Sequence, residues 1–493
     1  MPMFPIIPRT RTSLFQKRLP YIQKVASNLK PVDVFARLRN ERGCFFLDSS
    51  LVDNRLGRFS FIGCRPFLVV EDFSRKTTMQ GNAGSNQRWH NPFDKLWRAC
   101  STFGIARDKY PVPFIGGAVG YFGYDSMRYL EKLPTKIEDD VNIPDFRFGL
   151  YDVVYAHDHL ENQSYIISSG FPELEESARL KRAKSRLCEL NDLLLNSPTP
   201  LSPLEPVFPE PHVKSNFTQG SYLSAVNRAR QYIIAGDIFE VNLSQRFEIT
   251  STMDPYALYC RLREINRSPF AAYLDCNDFQ IVSSSPERFL KLQGARVETR
   301  PIKGTRPRGC SPEEDKSLSG ELLASEKDRA ENMMIVDLSR NDLGRVCLYG
   351  TIKVTELAVL ETYPTVFHLT STVTGELMDN YKWNDLFKAA FPGGSVTGAP
   401  KIRAMEIIDE LEPTRRSVYT GAIGYVGFNG DLDFNIAIRT ILTKADRAYF
   451  QVGGAITFDS DPQAEYEETL YKSRALFKAL GIDFEKQTSN YNR

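Results

Sequence analysis

The sequence predicts an α+β protein, and three observations predict it. Short apolar runs with strand chemistry punctuate the first 170 residues. Asn429-Gly430-Asp431 separates two apolar stretches, 421–428 and 432–442, as a hairpin turn does. After residue 215, helical and strand patterns mix without the regular strand–helix–strand alternation of a doubly wound parallel sheet.

The elements follow in chain order. Met1-Pro2-Met3-Phe4-Pro5 lacks the apolar core of a secretory signal. No apolar run reaches the roughly 18 residues of a spanning helix, so the expected compartment is the cytoplasm. Residues 44–47, 59–62, 67–70 and 153–156 read as strands. Residues 116–124 alternate small and aromatic side chains, as a tightly approached strand does. Residues 172–195 read as an amphipathic helix with Leu174, Ala178, Leu187, Leu190 and Leu194 apolar. Residues 197–211 then carry six prolines in fifteen positions, which excludes helix and central strand and predicts an extended linker. The chain therefore divides into an N-terminal region (1–196), a Pro-rich linker (197–214), a C-terminal region (215–485) and a tail (486–493). In the C-terminal region, 222–235 is helical, 239–247 is a strand, and 432–442 is one strand.

With 62 Lys+Arg against 61 Asp+Glu, the chain has a formal charge of +1. That balance disfavours a nucleic-acid or membrane-surface protein, which needs a basic excess. It leaves a soluble enzyme or binding protein. Eight scattered cysteines without a C-x-x-C pair, and five histidines, suit neither a zinc site nor a disulfide framework.

Several constellations can carry chemistry. Lys303 lies among Arg300, Arg306 and Arg308, between two prolines, and like charges would lower its pKa and free a nucleophilic amine. The bland alternative is a solvated basic turn. Glu331 interrupts an apolar helix face with Ile335 and Leu338, and Glu468 stands one turn from Lys472. Two such carboxylates with little His or Cys favour a hard ion such as Mg²⁺, against the alternative of i,i+4 surface pairing. The glycine-rich turn at 391–400 has G-x-x-x-x-G spacing but continues Ala-Pro, which excludes a nucleotide P-loop. Pro400 opens a helix, and the turn offers N–H groups to an anion such as a carboxylate. Arg439, sharing a strand face with Asn435, Ala437 and Ile441, needs an anionic partner, internal or bound. Glu287 follows a strand and can serve as an acid; His368 in an apolar strand is a core residue or a catalyst.

Together these segments closely resemble the chorismate-utilising enzymes. The resemblance runs through Pro301-Ile-Lys-Gly-Thr305, Ile335-Val-Asp-Leu-Ser-Arg-Asn-Asp-Leu-Gly-Arg345, residues 391–412 and Asn435-Ile-Ala-Ile-Arg-Thr440. It spans about 215–485, with looser agreement over about 20–170. It implies an α/β sandwich of large antiparallel sheets covered by helices. It implies Mg²⁺ held by Glu331 and Glu468, a carboxylate grip from Tyr419, Arg439 and Lys472, and a ring pocket lined by Gly304, Thr305, Gly453, Gly454 and Ala455. Lys303 becomes the nucleophile, Glu287 the general acid and His368 an orienting residue.

Within the family, lysine at position 303 and Pro-Gly-Gly-Ser at 392–395 resemble the branch that aminates chorismate at C4. The anthranilate branch usually carries alanine at the lysine position. The isochorismate branch carries a lysine base where this chain has Glu240. Without a nucleophilic Cys–His glutaminase pair in this chain, ammonia is expected from a separate glutamine amidotransferase subunit. The product implied is 4-amino-4-deoxychorismate, a precursor of p-aminobenzoate and folate. Relatives also hold a tryptophan pocket, matched here by Ser49, Arg58, Pro269 and Phe270.

Overall fold

The computed structural model describes residues 18–25, 29–73, 76–81, 91–134, 137–196, 213–363 and 366–483. The Pro-rich segment 197–212 and the tail from 484 lie outside the described residues. The expected helices form as Glu176–Asn196, Gln219–Ile234, Glu326–Gly344, Lys401–Leu411 and Pro462–Ala479. Pro400 is the N-cap of its helix, one position before the predicted one.

Two large antiparallel sheets, of twelve and eleven strands among the described residues, make the sandwich that the sequence predicts. In the first sheet the order runs Tyr21–Val25, Gln163–Ser168, Val153–Asp158, Phe59–Gly63, Phe45–Asp48, Phe270–Asp275, Phe279–Ser285, Thr440–Lys444, Arg447–Ile456, Glu240–Thr250, Val213–Ser215. The second includes Ile302–Pro307, Val366–Glu376, Arg296–Arg300, Arg288–Gln293, Leu432–Ile436, Ala422–Gly427 and Gly117–Phe122 as successive neighbours. Regions 1–196 and 215–485 share both sheets: Phe45–Asp48 pairs with Phe270–Asp275, and Gly117–Phe122 with Ala422–Gly427. The N-terminal region is thus woven into region 215–485, where the sequence suggested a region packed against it.

Aromatic side chains fill the space on both faces of the second sheet. Tyr121 reaches Phe279 of the first sheet, with ring centroids 6.2 Å apart. Its neighbour Phe122 points the other way, onto Phe93 and Phe387 of two covering helices, at 4.6 and 4.7 Å. The glycines of this strand are spaces for backbone: a Cβ on Gly120 would fall 1.9 Å from the Arg147 carbonyl oxygen.

The Asn429-Gly430-Asp431 turn forms, with Gly430 at φ +84° and Val426 opposite Leu432. The single strand expected over 432–442 does not. Leu432–Ile436 belongs to the second sheet and Thr440–Lys444 to the first, so the chain crosses between sheets at 437–439. Arg439 takes φ +50° in that crossing and shares no strand face with Asn435 or Ile441. Both strands are buried, so apolar patterning continues through the break.

Gly120→Val forces a branched side chain into the Arg147 backbone. The expected result is a strongly lowered thermal midpoint or insoluble chain, measured by thermal denaturation beside Gly320→Ala in a helix, where a Cβ meets nothing within 4 Å.

Candidate active site

The site begins with a local irregularity. Strand Ile302–Pro307 runs antiparallel to Val366–Glu376, pairing Ile302 with Thr370 and Thr305 with His368, with a register shift between them. Gly304 sits inside that shift at φ +85°. A bulge of this kind re-aims the side chain beside it. Lys303 is turned inward, buried, with Nζ 2.5 Å from Glu240 Oε1.

This geometry corrects the expected cause of Lys303 reactivity. The arginines of the motif face elsewhere: Arg300 bonds Glu361 at 2.5 Å, Arg306 bonds Glu321 at 2.7 Å, and Arg308 bonds Asp315 at 2.5 Å. Burial pulls the Lys303 pKa down, but the carboxylates of Glu240, Glu331 and Glu287 outweigh it and hold the amine above its usual value. Resting Lys303 is therefore an ammonium in an ion pair, neither a neutral amine nor a solvated turn residue.

Glu287 stands at the head of strand Arg288–Gln293 and is 3 % exposed. Burial pushes its carboxyl up to about 7, against the Ser395 hydroxyl, the Ile302 N–H and the Lys303 charge, which all favour the carboxylate. Ser395 Oγ donates to Glu287 Oε1 at 2.6 Å and Ile302 N–H at 3.3 Å. The glycine-rich turn thus presents a hydroxyl to Glu287, where the sequence suggested N–H groups for an external anion. Its continuation, Gly398–Ala399, pairs with Glu240 and Val241.

His368 is buried beside Thr305, with Nδ1 2.9 Å from Thr305 Oγ1 and Nε2 3.4 Å from Arg439. Burial and the Arg439 charge push it down to about 3, so the imidazole is neutral at physiological pH. Half-buried Arg439 donates to Asn266 Oδ1 at 3.2 Å and forms no carboxylate pair among the described residues. Desolvation lowers its pKa, with Tyr363 and Tyr471 opposing. An arginine left so is suited to a bound anion. Tyr419 lies beside the crossing, since Thr420 N–H donates to the Ala437 carbonyl at 2.8 Å. Its ring carries the Arg416 guanidinium at 5.7 Å, and burial raises its phenol pKa.

The acidic end lies between two helices and strand Arg447–Ile456. Burial pushes Glu331 up to about 7, with Lys303 and Lys327 opposing. Lys472 neutralises Glu468 at 2.6 Å and donates to the Gly453 carbonyl at 2.9 Å, which lowers the Glu468 pKa. Lys472 therefore serves a carboxylate of its own helix and makes no bond to Arg439 or Tyr419 in this state. No group of three or more His, Cys, Asp or Glu side chains suited to a metal ion occurs among the described residues. The donor set nevertheless fits a hard divalent cation. Glu465 Oε2 is buried without a partner, and a Cβ on Gly454 would sit 3.0 Å from it and 3.6 Å from Glu468 Oε1. Ala455 and Gly453 follow the same strand, opposite Asn242 and Ser244.

A separate cavity of about 720 Å³ brings together Ser49, Arg58, Pro269 and Phe270, as the resemblance implies. Two of its charged wall residues are already engaged. Arg58 pairs with Asp158 at 2.6 Å, and Asp48 accepts from Ser60, Tyr259 and Arg263 at 3.1, 2.9 and 2.6 Å.

Sequence reasoning missed three participants. Glu240 entered it only as the absence of a lysine, although a glutamate opening an apolar strand was the available signal. Ser395 was hidden in the glycine-rich turn. Glu465, three residues before Glu468 on the same helix, carries no sequence signal that sets it apart from the other glutamates there. All eight cysteines are free thiols, and no helix among the described residues is long and apolar enough to cross a membrane.

A carboxyl raised to about 7 when folded favours the folded state fully below its unfolded pKa, and that contribution is lost as pH rises through 7. Glu287→Gln removes the ionisation. Relative to wild type it should gain stability from pH 5 to pH 8, by up to about 3 kcal/mol; thermal midpoints across that range check it.

Residues 50–478 match the chorismate binding enzyme family. Aminodeoxychorismate synthase component 1 of Bacillus subtilis is 41% identical over 434 residues, covering 88% of this chain and 91% of that protein. Anthranilate synthase component 1 of Acetivibrio thermocellus is 40% identical over 469 residues, covering 94% and 95%. The crystal structure of anthranilate synthase component I from Streptococcus pneumoniae superposes with a TM-score of 0.74 at 34% identity, over 86% of this chain and 93% of that one. This chain belongs to the family of chorismate binding enzymes.

Proposed function

We propose that the chain aminates chorismate at C4, giving 4-amino-4-deoxychorismate by way of a covalent adduct on Lys303. The observation that carries the reading is a buried lysine amine at 2.5 Å from a carboxylate, in a site whose other carboxyl, Glu287, is held near neutrality at about 7. A nucleophile and a protonatable acid at working pH are what displacement of a hydroxyl requires. Lys303, once deprotonated, attacks C2 while Glu287 gives its proton to the departing C4 hydroxyl, which leaves as water. Ammonia then bonds C4, and the lysine is expelled.

Arg439 and Tyr419 hold the enolpyruvyl carboxylate in this reading, with Lys472 joining them on release from Glu468. Neutral His368, fixed by Thr305, orients the substrate as a hydrogen-bonding group and carries no charge. Backbone around Gly304, Thr305, Gly453, Gly454 and Ala455 lines the ring. Glu331 and Glu468, with Glu465 beside them, are the residues to hold Mg²⁺, which neutralises and orients the ring carboxylate. The cavity around Ser49, Arg58, Pro269 and Phe270 is the tryptophan-type pocket of this reading. Asp48 already accepts three hydrogen bonds and pairs with Arg263, which weakens its pull on a ligand's ammonium. The relatives' names as component 1 support a second subunit; a glutamine amidotransferase supplying ammonia, in the cytoplasm, suits the chemistry.

Relatives of the anthranilate branch are equally similar, so product identity is the deciding measurement. With chorismate, ammonium and Mg²⁺, chorismate should be consumed, and p-aminobenzoate should form only after a separate lyase is added. Direct appearance of fluorescent anthranilate reverses the assignment. Lys303→Ala should lose more than about 100-fold in the rate of aminodeoxychorismate formation; full retained activity sinks the covalent role. A chelator should abolish turnover and Mg²⁺ restore it. Glu331→Gln should raise the half-saturating Mg²⁺ concentration roughly tenfold or more in a Mg²⁺ titration of rate.

A further inference from the structure

The carboxylate of Glu240 has more hydrogen-bonding capacity than the fold uses. Its side chain is fully buried; Oε1 accepts from Lys303 Nζ at 2.5 Å and from Asn242 Nδ2 at 3.2 Å, and Oε2 has no partner. A buried carboxylate oxygen without a donor is costly, so a cationic donor that reaches it binds with a gain. Other carboxyl groups stand nearby. Lys303 faces Glu240, Glu331 and Glu287, and Glu240 in turn acts on Glu331. The strand that carries Glu240 starts at the surface, since the preceding residue, Phe239, is 71 % exposed.

We infer that Glu240 Oε2 is the receiving point for an ammonium ion, the nitrogen source of the amination. The inference rests on the proposed reaction and deepens it by naming where the second substrate binds. Ammonium brings one positive charge and N–H donors on every side. Sodium brings the charge without the donors, and water brings donors without the charge. The site therefore selects the ion that can satisfy the orphaned oxygen in both respects.

The chemistry balances. In the first half Lys303 sheds its proton and bonds C2; the C4–O bond breaks, and Glu287 protonates the oxygen, which leaves as water. Glu287 then regains a proton from solvent, matching the one Lys303 lost. In the second half, ammonium at Oε2 passes one N–H proton to Glu240, leaving ammonia with a free electron pair. That pair forms the bond to C4. The C2–N bond breaks and its electrons return to the Lys303 amine. The amine takes the proton from Glu240 across their contact, restoring the resting ion pair. The product departs with its new amine protonated, so one ammonium enters and one water leaves.

Glu240→Gln preserves the side-chain volume but can neither carry the charge nor take the proton. Initial rates of the full chain with ammonium chloride are measured while each substrate is varied in turn. The kcat/KM for ammonium should fall further than that for chorismate by roughly tenfold or more. If Glu240 serves merely to hold Lys303, the loss falls on kcat/KM for chorismate, which reports the steps up to the lysyl adduct, and the inference is overturned. A second measurement needs no turnover. The thermal midpoint of wild type should be higher in ammonium chloride than in sodium chloride of equal ionic strength, and the difference should vanish in Glu240→Gln. Equal midpoints for wild type in the two salts overturn the site. If wild type leaves chorismate untouched or makes anthranilate, the reaction reading fails, while the salt comparison still decides whether ammonium binds at Glu240.

Discussion

A buried ion pair joins the two sheets, and the site is arranged around it. Lys303 arrives on a strand of the second sheet and Glu240 on a strand of the first. Their side chains are 8 % and 0 % exposed, so each charge depends on the other for solvation that water does not supply. Removing one partner of such a pair leaves an uncompensated buried charge, which costs several kcal/mol. The contact requires Lys303 to point inward while Arg300 and Arg306 reach other partners. Arg300 ends the preceding strand and Arg306 lies beyond the register shift at Gly304, so each turns to its own carboxylate. A side chain at Gly304 would also meet Asp328 and Leu322 at 3.1 Å, so the Lys-Gly pair answers to geometry on both sides.

The same seam between sheets locates the other groups. The chain crosses it at 437–439, which leaves Arg439 in the gap beside His368. A second buried ion pair fastens the crossing from behind. Arg416 bonds Glu412 at 2.7 Å, donates to the carbonyls of Val396 and Asn242, and lies over the rings of Tyr124 and Tyr419. One guanidinium thereby couples the turn that carries Ser395, the strand that carries Glu240 and the ring of Tyr419. Low polarity then pushes three neighbouring groups toward their neutral forms: Glu287 and Glu331 upward, His368 downward. Lys303 escapes that tendency because carboxylates surround it.

What the sequence revealed and what it hid divide along a physical line. Local signals were legible: the Asn-Gly turn, the glycine strand at 117–122, the helix carrying Glu331 and the motif residues themselves. Hidden were the consequences of pairing between distant segments. Arg300 and Arg306 are near Lys303 in sequence, yet in a bulged strand nearby residues face different partners, while Glu240 is 63 positions away. The expected sign of the lysine pKa was therefore reversed. The break at 437–439 was hidden for another reason. Both flanking strands are buried between layers, so apolar residues continue across it and no periodicity changes. The interleaving of the N-terminal region with the C-terminal one left no local mark either, because pairing of Phe45–Asp48 with Phe270–Asp275 is a property of the sheet alone.

The acid and the large cavity stand back to back on one strand. Glu287 faces Ser395 and the lysine, while the next residue, Arg288, lines the cavity and pairs with Asp433 and Glu298 at 2.9 and 2.7 Å. Asn435, opposite Arg288 in the ladder, also lines the cavity and donates to the Phe270 carbonyl at 3.0 Å. Ile436, one residue on, donates its N–H to the Glu287 carbonyl at 3.0 Å. The cavity wall and the Glu287 carboxyl therefore share a backbone with a period of two. A shift of Arg288 or Asn435 reaches Glu287 through a single peptide or a single ladder bond.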